Sequence, residues 1–387
     1  MGNGVLVGAD QVDRLSGSLK GRRFALLTNP TGIDSGFRST IEVCAGIEGA
    51  KLSAFFACEH GLRNELQAGV KFEDHTDEEY GIPVYSLYGK NRVPTAHSLQ
   101  GLDAVVFDIQ DLGVRFYTYL TTLVYAMSAC AENGVKLIVL DRPNPLGGHR
   151  VEGGLLREGF YSMVGAWEMP VLSGMTIGEF ARLVNAQAEK PCELEIIPLQ
   201  GWRRSMEYSD TGLPWIMPSP NMPTIDTVRI YGGNCLFEGT NLSEGRGTTR
   251  PFEMVGAPWL DHKQLCDTLN ALELPGVRYH PVTFTPTFQK HAGQLCKGVF
   301  TYVTDKTSFL SVESGLTLLH HIVSLHPNEF EWQGSEDGKT FIDILSGSDE
   351  VRRRIAQPEG LKEIAASWKR QSQEWGEQRK SYLLYED

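Results

Sequence analysis

The stretch LSAFFACEHGLR, residues 52–63, decides how the first half of the chain folds. It begins with apolar side chains from Leu52 to Ala57, interrupted only by Ser53, and continues with an acid, an imidazole and a guanidinium at Glu59, His60 and Arg63. A turn at the end of a strand needs none of these three groups. We therefore interpret the stretch as a buried strand that ends at a polar site.

The same alternation of apolar strand and helix patterns continues along the first 200 residues. The predicted strands cover 23–27, 52–57, 82–87, 104–107, 135–140 and 194–198, and the predicted helices cover 37–48, 118–132 and 177–188. Near-continuous apolar strands separated by helices indicate a parallel sheet with both faces covered. The fold class is therefore α/β, with a mostly parallel sheet.

The pattern changes after about residue 226. The later part contains predicted strands at 228–231, 277–284 and 298–304, predicted helices near 261–272 and 312–325, and a charged helical tail at 349–384. This mixture is typical of a smaller α+β domain. Between the two parts, residues 201–223 are too rich in proline for regular structure, and their two tryptophans favour an ordered loop over a flexible linker.

Composition excludes several classes of protein. The 387 residues carry a net charge of −12, which argues against nucleic acid as the main partner. No apolar run is long enough for a membrane span, and no leader pattern opens the chain. We expect a cytoplasmic protein as the sequence stands, or a periplasmic or secreted one if a leader has been removed. The seven scattered cysteines form no CxxC pair and are predicted to be buried free thiols of a reducing compartment.

Ligands of parallel sheets bind beyond the carboxyl ends of the strands, and in this chain those ends are polar. The candidate site residues that follow predicted strands are Asn29, Glu59, His60, Arg63, Asp108, Asp111, Arg115, Asp141 and Asn144. A second candidate segment, 241–250, is glycine-rich and contains Asn241, Glu244 and Arg246. Structural alternatives stay open: Glu59 and His60 could satisfy a turn, Asp111 could cap a helix and pair with Arg115, and 241–250 could be a solvated loop.

The chain lacks the motifs of several common site types. There is no GxGxxG turn, no phosphate-binding loop with its lysine and no GxSxG elbow, which argues against nucleotide binding and against a serine hydrolase. No spacing of histidine and acidic residues is typical of zinc. We expect neither a metal nor another cofactor.

Long motifs along the chain resemble those of the peptidoglycan exo-β-N-acetylmuramidase family. They are TNPTG at 28–32, EHGLR at 59–63, FDIQDLGVRFYTY at 107–119, LDRPNPLGG at 140–148, GWRRSM at 201–206, PSPNMP at 218–223, EGTNLSEGRGTTRPFE at 238–253 and SYLLY at 381–385. The resemblance implies a Rossmann-like catalytic domain, residues 1–225, and a smaller C-terminal α+β domain, residues 226–387, that closes the cleft. It also implies release of terminal N-acetylmuramic acid from the non-reducing ends of peptidoglycan fragments.

This activity assigns roles to the candidate residues. Glycoside hydrolysis usually needs two carboxyl groups, so we expect Glu59, aided by His60, to be the general acid, with Asp108, Asp111 or Glu244 as the second carboxylate. The arginines Arg63, Arg115 and Arg246 are candidates for the lactyl carboxylate of the sugar. The 2-acetamido group could act as internal nucleophile, oriented by an acid or a tyrosine. The further substrate-binding candidates are Asn29, Tyr117, Tyr119, Asp141, Asn144, Asn221 and Asn241.

The expected substrates are muropeptides or the disaccharide of N-acetylmuramic acid and N-acetylglucosamine (MurNAc-GlcNAc), with no nucleic acid and no membrane span. The oligomeric state, the anomeric outcome and the preferred fragment length stay open. Two alternatives remain from other classes: a non-catalytic muropeptide-binding protein, and a metal-free amidase or phosphoesterase on a Rossmann-like sheet. Release of the sugar separates catalysis from binding alone.

Overall fold

Seven strands form the main sheet, in the order β3-β4-β2-β1-β5-β6-β7. The computed structural model describes residues 4–334 and 339–387. Six strands are parallel, and the short β3 lies antiparallel at one edge. The strands are β1 (Arg23–Thr28), β2 (Lys51–Ala57), β3 (His75–Thr76), β4 (Pro83–Ser86), β5 (Ala104–Asp108), β6 (Lys136–Leu140) and β7 (Leu194–Ile197). The six parallel strands follow the order of a dinucleotide-binding Rossmann sheet. The predicted α/β class with a mostly parallel sheet is confirmed.

The apolar runs of these strands are buried on both faces because successive side chains point to opposite sides of the sheet. In β1, Ala25 and Leu27 join one core cluster, while Phe24 and Leu26 join the other. All four side chains are fully buried. The predicted covering of both faces is therefore confirmed.

The helices lie before, between and after the strands. They are α1 (Val12–Leu19), α2 (Thr40–Ala45), α3 (Ala96–Leu99), α4 (Thr118–Asn133), α5 (Ile177–Gln187), α6 (Ile225–Asn234), α7 (His262–Ala271), α8 (Ser311–Leu325), α9 (Phe341–Ser346), α10 (Glu350–Arg354) and α11 (Gly360–Gln378). The predicted capping box of α5 is present: the Thr176 hydroxyl accepts from the Glu179 N–H, and the Glu179 carboxylate accepts from the Thr176 N–H. Gly134 ends α4 in a left-handed conformation, as its sequence predicts.

The later part of the chain is built around a second, smaller sheet. Its three antiparallel strands have the order β8-β10-β9, with β8 (Met254–Ala257), β9 (Val277–Phe284) and β10 (Cys296–Val303). The sheet packs with helices α7 and α6, so this part has the predicted α+β character. The division of the chain at residue 226 stays a prediction, since the larger core cluster runs from β1 through β10 to Trp375 in α11.

The structure corrects four assignments. Residues 228–231, predicted as a strand from their β-branched and aromatic side chains, lie in helix α6. Tertiary packing decides this, because Gly233 lies so close to α8 that a Cβ there would approach the Ser311 carbonyl oxygen to 2.0 Å. The helix predicted at 37–48 shortens to Thr40–Ala45, the tail divides into α10 and α11 around Pro358, and strand β8 was not predicted.

The proline-rich segment 201–223 is an ordered loop, as its tryptophans predict. The Trp215 indole N–H donates to the Met222 carbonyl at 3.1 Å, and the Tyr119 hydroxyl donates to the Pro218 carbonyl at 2.5 Å. The loop therefore lies fixed against the carboxyl edge of the main sheet. Among the described residues, no helix combines the length and the apolar character that a membrane crossing requires.

Candidate active site

The carboxyl ends of β5 and β6 are closed by the protein's own polar side chains. Asp108 at the end of β5 is fully buried and accepts from Arg142, through Nε at 2.5 Å and Nη2 at 2.9 Å. The Thr40 hydroxyl also donates to this carboxylate. Because these donors occupy both oxygens, the expectation that Asp108 faces an open cleft is corrected: it anchors the sheet edge.

Three more predicted residues belong to this internal network. The Asn29 amide donates to the Tyr119 hydroxyl at 3.0 Å, and Tyr119 in turn holds the Pro218 carbonyl. Asp141 accepts from the Gly178 N–H at 2.8 Å, which ties β6 to the start of α5. Burial raises the pKa of Asp141 to about 7, against the effect of its hydrogen-bond donors.

Asn144 is equally occupied. Its amide group donates to the Met175 carbonyl and accepts from the Leu146 N–H, both at 2.9 Å. The four residues Asn29, Tyr119, Asp141 and Asn144 lie at strand ends or beside them, as predicted, but none of them lines the main cleft. Their contacts support a structural role at the sheet edge.

The main polar cleft lies between the end of β2, the start of α4 and the second part of the chain. Its volume is about 400 Å³, within the range of small-molecule sites. Of the predicted residues it brings together Glu59, His60, Tyr117, Asn221, Glu244 and Arg246. The sheet edge and the later segment thus contribute to one cavity, although 185 positions separate Glu59 from Glu244 in the sequence.

Glu59 lies two residues after the end of β2 and is half-buried at the cleft wall. Its Oε1 accepts from the Gly69 N–H at 3.1 Å, and its Oε2 accepts from the Thr118 hydroxyl at 3.0 Å. Thr118 is the first residue of α4, so the strand end and the helix start hold the carboxyl group together. The remaining lone pairs of this group are available to a ligand.

His60 lies beside Glu59 in a left-handed conformation, with φ of 76°. Its Nδ1 is 3.0 Å from the Leu66 carbonyl oxygen. A carbonyl only accepts, so Nδ1 carries the proton and Nε2 keeps a free lone pair. Burial lowers the pKa of His60, an effect that Arg246 reinforces and Glu59 opposes. The imidazole is therefore neutral at neutral pH.

The opposite wall carries alternating charges. Arg246 lies between two carboxylates, with Nη2 at 2.5 Å from Glu238 and Nε at 3.2 Å from Glu244. Its guanidinium also lies over the Phe252 ring, 4.9 Å from the centroid. The Lys290 ammonium is 2.8 Å from the second oxygen of Glu244. This wall therefore holds two carboxylates in fixed positions by means of two cations.

Aromatic rings and unpaired polar atoms complete the cleft. Tyr117 packs edge-to-face on Tyr231, which packs in the same way on Phe252. The Tyr117 hydroxyl and the Asn221 side-chain nitrogen are buried without a hydrogen-bond partner among the described residues. Burial raises the pKa of Tyr117, so its phenol stays a neutral donor. Both groups can bind the polar substituents of a ligand.

Two predicted arginines lie elsewhere. Arg63 pairs with Asp77 at 2.7 Å and lines a separate cavity of about 390 Å³, together with Asn29. Arg115 is buried, and its guanidinium donates to the carbonyls of Gly154, Met169 and Leu345 at 2.7–2.8 Å. The expectations that Arg115 pairs with Asp111 or contacts a ligand are therefore corrected. It joins two loops and helix α9 behind the cleft wall.

Asp111 and Asn241 also lie outside the cleft lining. Asp111 is buried and accepts from the Gly113 N–H at 2.5 Å, so it closes a turn and does not cap α4. Burial raises its pKa to about 7. Asn241 is bound to the backbone of Glu329 and Glu331 on a neighbouring segment. Of the three candidates for the second carboxylate, Glu244 is the one that reaches the cleft.

Sequence reasoning missed several residues of the cleft wall, among them Glu238, Lys290, Tyr88, Thr118 and Tyr231. Glu238 belongs to the quoted 238–253 motif and lies three residues before Asn241. An acidic residue beside a glycine in that motif could have indicated a site residue. Lys290 belongs to the loop between β9 and β10, where the sequence has no distinguishing pattern. Within residues 4–334 and 339–387, no three His, Cys, Asp or Glu side chains are grouped as metal ligands.

A larger cavity, of about 680 Å³, lies between α8, α11 and residues 149–153. None of the predicted site residues lines it. Size alone does not define an active site, since catalysis needs convergent titratable groups. The smaller cleft has paired carboxylates, a neutral imidazole and two cations, and we therefore take it as the candidate active site.

All seven cysteines are buried and free, as predicted. Cys235 lines the cleft, and burial raises its thiol pKa well above the ordinary value. A thiol with a raised pKa forms little of the reactive thiolate. Cysteine chemistry is therefore not the function of this cleft.

The sheet order and the cleft define a Rossmann-like α/β protein with paired carboxylates between its main sheet and a smaller second sheet. Family models named exo-beta-N-acetylmuramidase NamZ, N-terminal and C-terminal, match residues 24–226 and 229–385. The chain belongs to the exo-β-N-acetylmuramidase NamZ family.

Individual relatives agree with this assignment. The peptidoglycan beta-N-acetylmuramidase NamZ of Bacillus subtilis (strain 168) is 44% identical over 367 residues, which cover 95% of this chain and 88% of the relative. Two crystal structures of DUF1343 family proteins from Bacteroides fragilis NCTC 9343 are similar over 99% of both chains. Their TM-scores are 0.92 and 0.78, at 34% and 32% identity.

Proposed function

We propose that this chain is an exo-acting glycoside hydrolase that releases terminal N-acetylmuramic acid from the non-reducing ends of peptidoglycan fragments. The observation that carries the proposal is the convergence of Glu59 and Glu244 on one cavity from distant parts of the chain. Two carboxyl groups around an oxocarbenium-like transition state are the usual requirement for glycoside hydrolysis. Muropeptides and the MurNAc-GlcNAc disaccharide are the substrates that fit this chemistry.

In this proposal Glu59 protonates the glycosidic oxygen as the leaving sugar departs. The Gly69 N–H and the Thr118 hydroxyl fix its carboxyl group and leave other lone pairs toward the cavity. His60 is neutral and adjacent in sequence, so its Nε2 can accept a hydrogen bond, or accept a proton and become the imidazolium cation. Position and protonation state together support His60 as an aid to Glu59.

Glu244 is the proposed second carboxylate. Its oxygens lie 3.2 Å from the Arg246 Nε and 2.8 Å from the Lys290 ammonium. If the 2-acetamido group of the substrate is the internal nucleophile, Glu244 stabilises the positive charge that develops on it. In this proposal the Tyr117 hydroxyl and the Asn221 amide nitrogen, which have no hydrogen-bond partner among the described residues, orient that acetamido group.

Arg246 is the proposed partner of the lactyl carboxylate. Its contacts to Glu238 and Glu244 use Nη2 and Nε, at 2.5 and 3.2 Å. A guanidinium can bind one carboxylate through its remaining N–H groups while it keeps the others. A charge-assisted hydrogen bond contributes about 1.5–3 kcal/mol, which corresponds to roughly 10–150-fold in kcat/KM.

The test compares nitrophenyl β-N-acetylmuramide with nitrophenyl β-N-acetylglucosaminide, which lacks the lactyl acid. We expect kcat/KM to be at least about tenfold higher on the muramide, and Arg246→Met to reduce that ratio. Arg63→Met is the matched control, because Arg63 lies in the separate cavity and should leave the ratio unchanged. Equal kcat/KM on both sugars would refute the proposed recognition, and muropeptide binding without sugar release would refute catalysis.

A further inference from the structure

The loop between β9 and β10 places one lysine in the cleft wall between two residues with left-handed backbone. Lys290 lies in this loop between Gln289 and His291, which both have left-handed backbone, with φ of 67° and 58°. For residues other than glycine this conformation is uncommon and costs free energy, so the surrounding contacts must enforce it. The His291 Nε2 lies 2.7 Å from the Asn241 carbonyl oxygen and fixes the loop on the opposite segment.

The ammonium of Lys290 is enclosed by backbone oxygens. Its Nζ donates to the carbonyls of Phe237, Thr240 and Leu242 at 2.8, 2.9 and 2.7 Å. The three oxygens belong to one short segment, which leads directly to Glu244. A lysine ammonium has three N–H donors, so these carbonyls use all of them. We call this group of three carbonyls the oxygen cage.

The contact between Lys290 and Glu244 is therefore one of charge alone. The Glu244 Oε2 lies 2.8 Å from Nζ, yet this oxygen is buried without a hydrogen-bond donor among the described residues. A carboxylate oxygen in that state is held in place by the nearby cation and keeps its lone pairs for another partner. The Glu244 carboxylate is thus fixed in position while its Oε2 accepts no hydrogen bond from the described residues.

We propose that Lys290 is a positioning residue, an internal monovalent cation that shapes the oxygen cage and holds the Glu244 carboxylate for the reaction. The inference deepens the proposed function and rests on the role given there to Glu244. The cage oxygens surround the ammonium in the way that carbonyl oxygens replace the hydration shell of potassium. Ammonium and potassium ions are therefore the right size to occupy the cage if the lysine side chain is removed.

Two substitutions separate a cation effect from general packing. Lys290→Ala removes the charge and leaves space for a free ion, whereas Lys290→Met removes the charge and keeps an aliphatic stem in that space. We expect both variants to lose about 10²-fold in kcat, since small misplacements of a reacting group have effects of that order. Ammonium or potassium chloride should restore kcat of the alanine variant and leave the reduced kcat of the methionine variant unchanged. Lys297→Ala, on the exposed side of β10, is the matched control for loss of one lysine.

Tetramethylammonium chloride at the same ionic strength controls for screening, because this ion is too large for the cage. The melting temperature is measured in the same salts, and it reports on cage occupancy independently of catalysis. We expect ammonium and potassium to raise the melting temperature of Lys290→Ala more than tetramethylammonium does, with no such difference for Lys290→Met.

Wild-type kcat in Lys290→Ala, or a loss without any selective response to ammonium or potassium, would overturn the proposal. If ammonium or potassium raises the melting temperature of Lys290→Ala without restoring kcat, the positioning role is overturned as well, and Lys290 only stabilises the fold. Glu244→Gln separates the proposed catalytic role of Glu244 from the proposed cation site at Lys290. If that variant keeps full activity, the proposed function of Glu244 fails, whereas the melting data still decide whether the cage binds a cation.

Discussion

Replacing Glu59 by glutamine tests the proposed acid most directly, because the change removes the transferable proton and little else. The glutamine carbonyl oxygen can accept from the Gly69 N–H, as the carboxylate does at 3.1 Å. The amide N–H can donate to Thr118, whose hydroxyl oxygen lies 3.0 Å away and also accepts hydrogen bonds. Both contacts of the side chain therefore survive, and we expect the fold to persist with a nearly unchanged melting temperature.

The expected loss of activity follows from the role. General acid catalysis is typically worth about 10²–10⁴-fold, or about 2.7–5.4 kcal/mol of activation free energy. On the MurNAc-GlcNAc disaccharide, kcat for Glu59→Gln should fall by that factor. On nitrophenyl β-N-acetylmuramide the fall should be much smaller, because an acidic phenol leaves with little help from a proton donor.

The assay measures kcat and kcat/KM on both substrates, with Glu65→Gln as the control for loss of one carboxyl group in the same loop. Glu65 accepts from the Arg63 N–H and does not line the cleft. Near wild-type activity of Glu59→Gln on the disaccharide would refute the acid role. An equal loss on both substrates would refute it too, and would favour a role of Glu59 in binding or in orienting the acetamido group.

Three further changes test other parts of the interpretation. Arg115→Met should lower the free energy of unfolding by about 3 kcal/mol or more in a denaturant titration, because three buried carbonyls lose their donor; a raised KM without loss of stability would instead return Arg115 to substrate binding. Burial lowers the pKa of His60 below about 6.5, so the unfolded state binds the extra proton and stability falls as the pH drops from 7 to 5. His60→Asn, which tolerates positive φ, should make that fall shallower, and an unchanged slope would contradict the assignment. Exhaustive treatment with EDTA should leave kcat unchanged, and a loss that divalent ions reverse would reveal a metal site at Glu59 and His60.

The main sheet could be predicted because its strands carry the signal in their own residues. In β5, four apolar side chains follow one another without a polar residue between them. A strand with one face in water would alternate apolar and polar residues, so the run indicates a strand buried on both faces. Helix α6 was misread because Val228, Ile230 and Tyr231 favour strands locally, while the reason for the helix lies in its contact with α8. Local preference is a weak guide wherever a distant element decides the packing.

The candidate site could be predicted from the sequence only at polar residues that no neighbouring turn or helix end requires. Glu59 and Asp108 look alike in the sequence, since each follows an apolar strand of the same sheet. They differ in the structure because Arg142 follows β6 and pairs with Asp108, whereas the carboxyl group of Glu59 accepts from the uncharged donors Gly69 N–H and Thr118 hydroxyl. A carboxylate at a strand end is available to a ligand when no neighbouring cation pairs with it. Whether a cation is near depends on the order of the strands in the sheet. The carboxyl edge of this sheet is thus closed at β5 and β6, borders the separate cavity beside Arg63 at β1, and opens at β2 on the main cleft, which the later segment with Glu244 completes.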